Sequence, residues 1–384
     1  MRQHLWISLI VISTALGCAS RRPPAMPGLI PGQSFVKQWQ ADLNLAKDPV
    51  KALYVRDNVV IAYTANNNSY WLSASGGQLI AINAIVNKAH RVYAPVGLAE
   101  NIVIPTTVSI ESYNKSGKHL DSFAVPTSVQ SPAAGLGNAL FLGVTRSGGG
   151  GRLARFNVDQ KLSLGWDMYT ANGLTAAPAV LNDTVFAGDR DGKVWALTSG
   201  RVALWALPGN AFQTDGPISA DLAVDDNGVY VASEDKKLYC LDRTSGKIKW
   251  IYFAGYAMTA GPVITPKIVY QLVPNVGLVA INKTEGKFNR EPLWIQPSAQ
   301  QVLAMDEKYV YVRYGGTIAA LDIANGQPVF ESTRNDLQVF ASDVKGSTIY
   351  ASTRGGTILA IKPVLKPGTV GELVFVETVL RRAG

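Results

Sequence analysis

Histidine and cysteine are nearly missing from this chain, with 3 and 2 in 384 residues. His4 falls in an apolar N-terminal leader, so a zinc centre or a Ser-His-Asp relay would rest on His90 or His119 alone. Neither chemistry is expected from a single imidazole, and no metal site is assigned. Charge is scarce as well: Asp, Glu, Lys and Arg make up 17% of the chain against 47% hydrophobic residues, which excludes a largely disordered protein. Beyond the leader no apolar run approaches the roughly 20 residues of a membrane-spanning helix. The formal net charge is +8, yet Lys and Arg are scattered, with no basic helix or aromatic-interleaved strip. A nucleic-acid partner is therefore not expected; solvated strand edges, with mild attraction to anionic envelope surfaces, account for the excess.

Three Gly-rich stretches lack what chemistry would require. "GDRDGK" (Gly188–Lys193) and "VDDNGVY" (Val224–Tyr230) have no alternating ligand series or distal Glu for Ca²⁺. "SGGGGR" (Ser147–Arg152) lacks the Gly-Lys-Ser/Thr ending of a phosphate loop. All three read as hairpin turns.

What the chain does have is a repeat. In "SEDKKLYCLDRTSGKIKW" Leu238, Cys240, Ile248 and Trp250 alternate with polar residues, the pattern of half-buried strands around a turn closed by Gly246. With Leu241 as anchor, the same slot recurs at Ile82, Tyr113, Phe156, Leu197, Ile281, Leu321 and Ile361. The intervals along the eight anchors are 31, 43, 41, 44, 40, 40 and 40 residues. An earlier half, opening on Gly-Pro or Ala-Pro, adds two strands per unit. Four short strands per forty residues is the period of a propeller blade.

The expected fold is all-β: an eight-bladed β-propeller of four-stranded antiparallel blades. Trp166, Trp205, Trp250 and Trp294, with Phe123 and Phe330 as substitutes, close the units and are expected to wedge between blades. Two segments compete to close the ring, "FVKQWQADL" (Phe35–Leu43) and "GELVFVETVL" (Gly371–Leu380).

The first residues, "MRQHLWISLIVISTALGCAS", have a basic start, a short apolar run and a small-residue exit, which is a secretory signal. Ala15-Leu16-Gly17-Cys18 resembles a bacterial lipobox, with Ala15 where Leu is usual; cleavage after Ala19 is the alternative. The expected division is a signal over 1–17, a lipidated Cys18 with a Pro-rich tether over 18–34, and one propeller over 35–384. The remaining Cys240 is read as a small buried hydrophobe.

"LYCLDRTSGKIKW" and "AALDIANGQPVF" resemble the pyrroloquinoline-quinone-type propeller repeat, over most of the chain. Two branches share that repeat. Quinone-dependent dehydrogenases carry Cys-x-x-Cys-His or adjacent cysteines, and both are missing here. The BamB-type outer-membrane assembly lipoproteins match in signal, lipobox, length and blade number. This resemblance implies a non-enzymatic periplasmic scaffold without cofactor, a monomer by itself, anchored by lipid to the outer membrane. It would serve an envelope complex, the β-barrel assembly machinery. The family's partner motif is Leu-x-Leu-Arg with a nearby Asp-x-Asp; Leu174 and Asp215 occupy corresponding approaches, without the Arg. A ligand- or glycan-binding propeller, or a dehydrogenase relative, is the alternative.

Overall fold

The computed structural model describes residues 33–365 apart from residues 46, 160, 316, 333–335 and 343–347. Its strands pair into eight four-stranded antiparallel sheets. Seven are consecutive in sequence, spanning 50–84, 96–124, 134–170, 179–213, 223–253, 263–296 and 299–331. We number these blades 1 to 7. Blade 8 takes three strands from 337–365 and its outermost strand from Gln33–Asp42, which pairs from Gln33↔Leu365 to Asp42↔Thr357. The N-terminal segment therefore closes the ring; the competing Gly371–Leu380 lies outside the described residues. The closing strand starts two residues before the expected boundary at 35.

Core residues fall into eight clusters, each shared by two adjacent blades. This explains why middle strands are buried on both faces. Val59–Thr64 is buried at every position, and in Lys237–Leu241 the polar-looking Tyr239 is only 4% exposed. Alternation is thus the wrong description of the inner strands; a sheet sandwiched between two others reads as a continuous apolar run. The outer strands do alternate, as at Ile248–Phe253, where Trp250 is buried and Ile248 is exposed.

Seven of the eight anchors occupy one structural slot, near the end of the third strand and opposite a buried second-strand residue: Leu241 faces Val229, Ile281 faces Val269 and Leu321 faces Val310. Ile82 does not. It lies in the outer strand Leu79–Ala84 and is 54% exposed, whereas Leu72, fully buried opposite Val60, holds the slot in blade 1. The first interval becomes 41 residues, in step with the others. The sequence slips there because the outer strand offers Ala81 where blades 3, 5, 6, 7 and 8 place a large ring.

The recurring turn has a local cause. The side chain after the anchor accepts hydrogen bonds from the turn it precedes. Asp242 Oδ1 receives the Ser245 amide at 2.8 Å and both the Thr244 and Ser245 hydroxyls at 2.7 Å; Asn282 and Asp322 do the same for their turns. Gly246 then takes φ 72°, and an added Cβ would lie 2.6 Å from the Trp205 ring, so only glycine fits both demands.

The Thr244 and Ser245 hydrogen bonds hold the Asp242 carboxyl down at about 2, from an ordinary 3.8. A depressed folded pKa stabilises above the unfolded value and loses that contribution as pH falls through about 2. Asp242→Asn should therefore cost about 1 kcal/mol near neutral pH after discounting for solvent, and nothing below pH ~2. Denaturant titrations of both proteins across this range check it.

A β-bulge sits at the anchor slot in seven blades, as between Cys240 and Leu241 or Ala280 and Ile281, and in blade 8 opposite Ile361. It swings the outer-strand ring toward the next blade. Trp250 Nε1 donates to Lys283 O at 3.0 Å, Trp205 to Arg243 O at 2.9 Å, and Trp166 and Trp294 to Ser199 O and Ile323 O at 2.8 Å each. Every acceptor lies two residues after the anchor of the following blade. Trp39 of the closing strand repeats the contact on Ala74 O, carrying it across the seam between blades 8 and 1. Phe330 packs instead on Phe35 of that strand, while Phe123 lies against Phe156 of blade 3.

Candidate functional site

Antiparallel blades place their connections on two opposite faces. One carries the loops from each outer strand to the next blade together with the turns between second and third strands. The other carries the remaining turns.

On the first face, loops 171–178 and 214–222 lead into blades 4 and 5. The two residues singled out there differ sharply. Leu174 is fully buried in the cluster between blades 3 and 4, and its carbonyl approaches so closely that a Cβ on Gly143 would sit 2.4 Å away. It pins the loop and offers no side-chain surface. Asp215 is 79% exposed, accepts Lys237 Nζ at 2.6 Å and donates its amide to Asp235 Oδ2 at 3.1 Å. The Asp215 hydrogen bond raises the Lys237 pKa, and Tyr239 OH donates to the same Asp235 carboxylate.

The exposed rings on this face were not foreseen. Tyr169, 56% exposed, ends the outer strand of blade 3 beneath the Arg146 guanidinium, 4.9 Å from its centroid. Phe253 and Tyr256, 65% and 45% exposed, stand at the end of blade 5. Each lies at or just past the end of its outer strand, which is the signal the sequence held. Blades 3 to 5 thus present aromatic rings flanking a charged pair.

The opposite face opens into a cavity of about 1010 Å³ at the channel mouth. First-turn residues of blades 1, 5, 6 and 7 line it, with carboxylates at Asp57, Asp226, Asp306 and Glu307. Lys283, 1% exposed, donates to Asp225 and to Thr265 O at 2.6 Å, tying blades 5 and 6 together at its wall. Asp225 Oδ1 also caps its own turn through the Asn227 and Gly228 amides, and Asp189 Oδ1 does so for Asp191 and Lys193. These stretches are turns, as read. "SGGGGR" is likewise a hairpin, with positive φ at Gly148, Gly149 and Gly150.

Among the described residues no group of three or more His, Cys, Asp or Glu is arranged to hold a metal ion. His119 Nε2 lies 3.0 Å from Glu111 Oε2, while Ser109 and Ser122 both donate to Oε1 of the same carboxylate. The hydroxyls are spent on the carboxylate and not aligned on the imidazole, so the cluster ties two strands of blade 2 rather than forming a nucleophile relay. His90 approaches Thr107 at 3.5 Å. Burial pushes the Cys240 thiol up to about 12, far from a reactive thiolate.

Residues 146–291 match the family model described as outer membrane protein assembly factor BamB, from the second half of blade 3 to just before the outer strand of blade 6. The outer membrane protein assembly factor BamB of Bordetella pertussis is 29% identical over 176 residues, 43% of this chain and 42% of that protein. The aligned part thus spans less than half of that relative. The crystal structure of BamB from Moraxella catarrhalis superimposes with a TM-score of 0.65 at 17% identity, covering 85% of this chain and 97% of that one. The computationally designed Ika8 protein gives 0.67 at 18% identity over 85% and 99%, and the C-terminal WD40 domain of Sif2 gives 0.65 at 11% over 87% and 99%. At such identities these structures show the fold alone. The blades, their turn chemistry and the family match together make this chain a β-propeller of pyrroloquinoline-quinone-type repeats that resembles BamB.

Proposed function

We propose that this protein is a non-enzymatic scaffold of the cell envelope that takes part in the assembly of outer-membrane β-barrel proteins. The observation that carries the reading is the position of the family match: residues 146–291 include the loops of blades 3 to 5 that expose Tyr169, Asp215 and Tyr256. Rigid blades holding variable loops on one face suit docking to a partner subunit. Exposed aromatic rings beside a charged pair are what such interfaces use as anchors. In this reading residues 1–17 are removed, Cys18 carries lipid, and 18–34 tether the propeller to the periplasmic side of the outer membrane.

Leu174 serves by holding its loop, and Asp215 by direct contact. Asp215→Lys and Tyr169→Ala should each reduce capture of the partner about tenfold while leaving the melting curve unchanged. Leu174→Ala should reduce capture only together with stability. The test is mild-detergent extraction of the tagged protein from envelopes, with mass spectrometry of what co-purifies. Near-stoichiometric recovery of the β-barrel assembly subunit supports the proposal. Recovery of a different complex with full yield removes it.

A further inference from the structure

The cavity of about 1010 Å³ at the channel mouth lies on the face that the proposal above does not use. Its walls are apolar. Val55, Leu181, Val224, Ile264 and Met305 come from the first strands of five different blades and converge there. The same lining carries five carboxylates against two cations, a net charge of −3 in a chain of +8.

The two cations are already spent. Arg56 donates to Val55 O at 2.7 Å and to Pro95 O at 2.6 Å, and Lys283 donates to Asp225 and to Thr265 O. Asp306 is spent as well: it accepts the Lys308 and Tyr309 amides of its own turn and the Tyr311 hydroxyl at 2.6 Å. Asp57, Asp226 and Glu307 are exposed and differ from these. Lys115 approaches Asp57 only to 3.6 Å and Arg243 approaches Asp226 only to 3.9 Å. Glu307 makes no ion pair among the described residues.

We propose that this mouth binds a small organic cation, its apolar body against Val224, Ile264 and Met305 and its ammonium or guanidinium head among Asp57, Asp226 and Glu307. Taking the body out of water supplies the affinity, and the carboxylates select the sign of the charge. The volume suits a ligand of this kind. A hard metal ion does not fit, because it needs several oxygens converging within about 2.6 Å. Among the described residues no three acidic groups are so arranged. An anion would meet three weakly paired carboxylates and no unspent lining cation.

The test is a fluorescence titration of the purified full chain with dansylcadaverine, a primary ammonium on an apolar, emissive body. Dansyl-aminohexanoate, its carboxylate counterpart, is the control. Saturable binding of the ammonium is expected, with the carboxylate at least tenfold weaker. Asp226→Asn/Glu307→Gln should weaken the ammonium about tenfold at an unchanged melting temperature, since both side chains are exposed. Salt at about 1 M should weaken it too. Met305→Gln, a polar replacement of similar size, should lower affinity and leave the salt dependence as it was. Equal affinity for the two dyes overturns the proposal, as does equal affinity of the parent and the double variant for the ammonium. Binding of a short Lys-Leu peptide without binding of the ammonium also overturns it, by assigning the mouth to a protein partner. None of these outcomes depends on what co-purifies from envelopes.

Discussion

A chain lacking residues 33–42 is expected to lose its cooperative melting transition and to aggregate. The closing strand supplies all of the outer pairing of blade 8 and places Phe35, fully buried, between Tyr311 and Phe330 of blade 7. On its other face Trp39 docks on blade 1 through Ala74 O and packs on Tyr350, their centroids 5.8 Å apart. Removing the strand therefore breaks two of the eight interblade clusters at once. Losing two buried rings costs roughly 6–10 kcal/mol by the usual scale for aromatic truncation, comparable to the whole stability of a domain. It also leaves the third strand of blade 8 as an uncovered apolar edge. Calorimetry and light scattering of the deleted and intact chains decide it. A single sharp transition at unchanged temperature in the deleted chain would show that the ring holds without its fastener.

Trp250→Ala should produce the largest loss of any single interblade ring. Trp250 is 2% exposed, packs 6.0 Å from Tyr230 and donates its indole N–H to Lys283 O, while Arg290 covers its outer face at 5.4 Å. Truncation costs about 3–5 kcal/mol, which lowers the melting temperature by roughly 5 °C for a domain of this size. Trp250→Phe should recover most of the packing and lose only the hydrogen bond, about 1 kcal/mol. Trp166, partly exposed in the same slot of blade 3, is the comparison: its Ala variant should lose less. Unfolding followed by circular dichroism separates the three, and equal losses at Trp166 and Trp250 would detach the effect from burial.

The fold was legible because each blade repeats a chemical necessity at one place. An acceptor after the anchor, a glycine at positive φ and a ring at the next bulge must recur together, so they leave a forty-residue period in the chain. Where one member is replaced the reading slips, as in blade 1, where Ala81 replaces the ring and Leu72 was passed over for Ile82. The burial of Leu174 was not legible for a different reason: a leucine in a loop looks available unless one knows that Gly143 lets that loop sink against the sheet. The channel mouth left no trace because its lining comes from turns far apart in sequence, brought together only by closure. Both candidate closing segments are rich enough in apolar and aromatic residues to be read as strands. Choosing between them needed the register of Thr357–Leu365.

Joining Gln33 to Leu365 also sets an order of events. The strand that completes the ring emerges among the first residues of the chain, and its partner more than three hundred residues later. At roughly 5–20 residues per second, half a minute or so passes between them. Throughout that interval the strand must stay unpaired, protected within itself by little more than Lys37 and Asp42. Seven blades can form while it waits, so the slowest and most exposed moment in making this protein falls at its last pairing, and any factor that shields an early strand would speed its maturation.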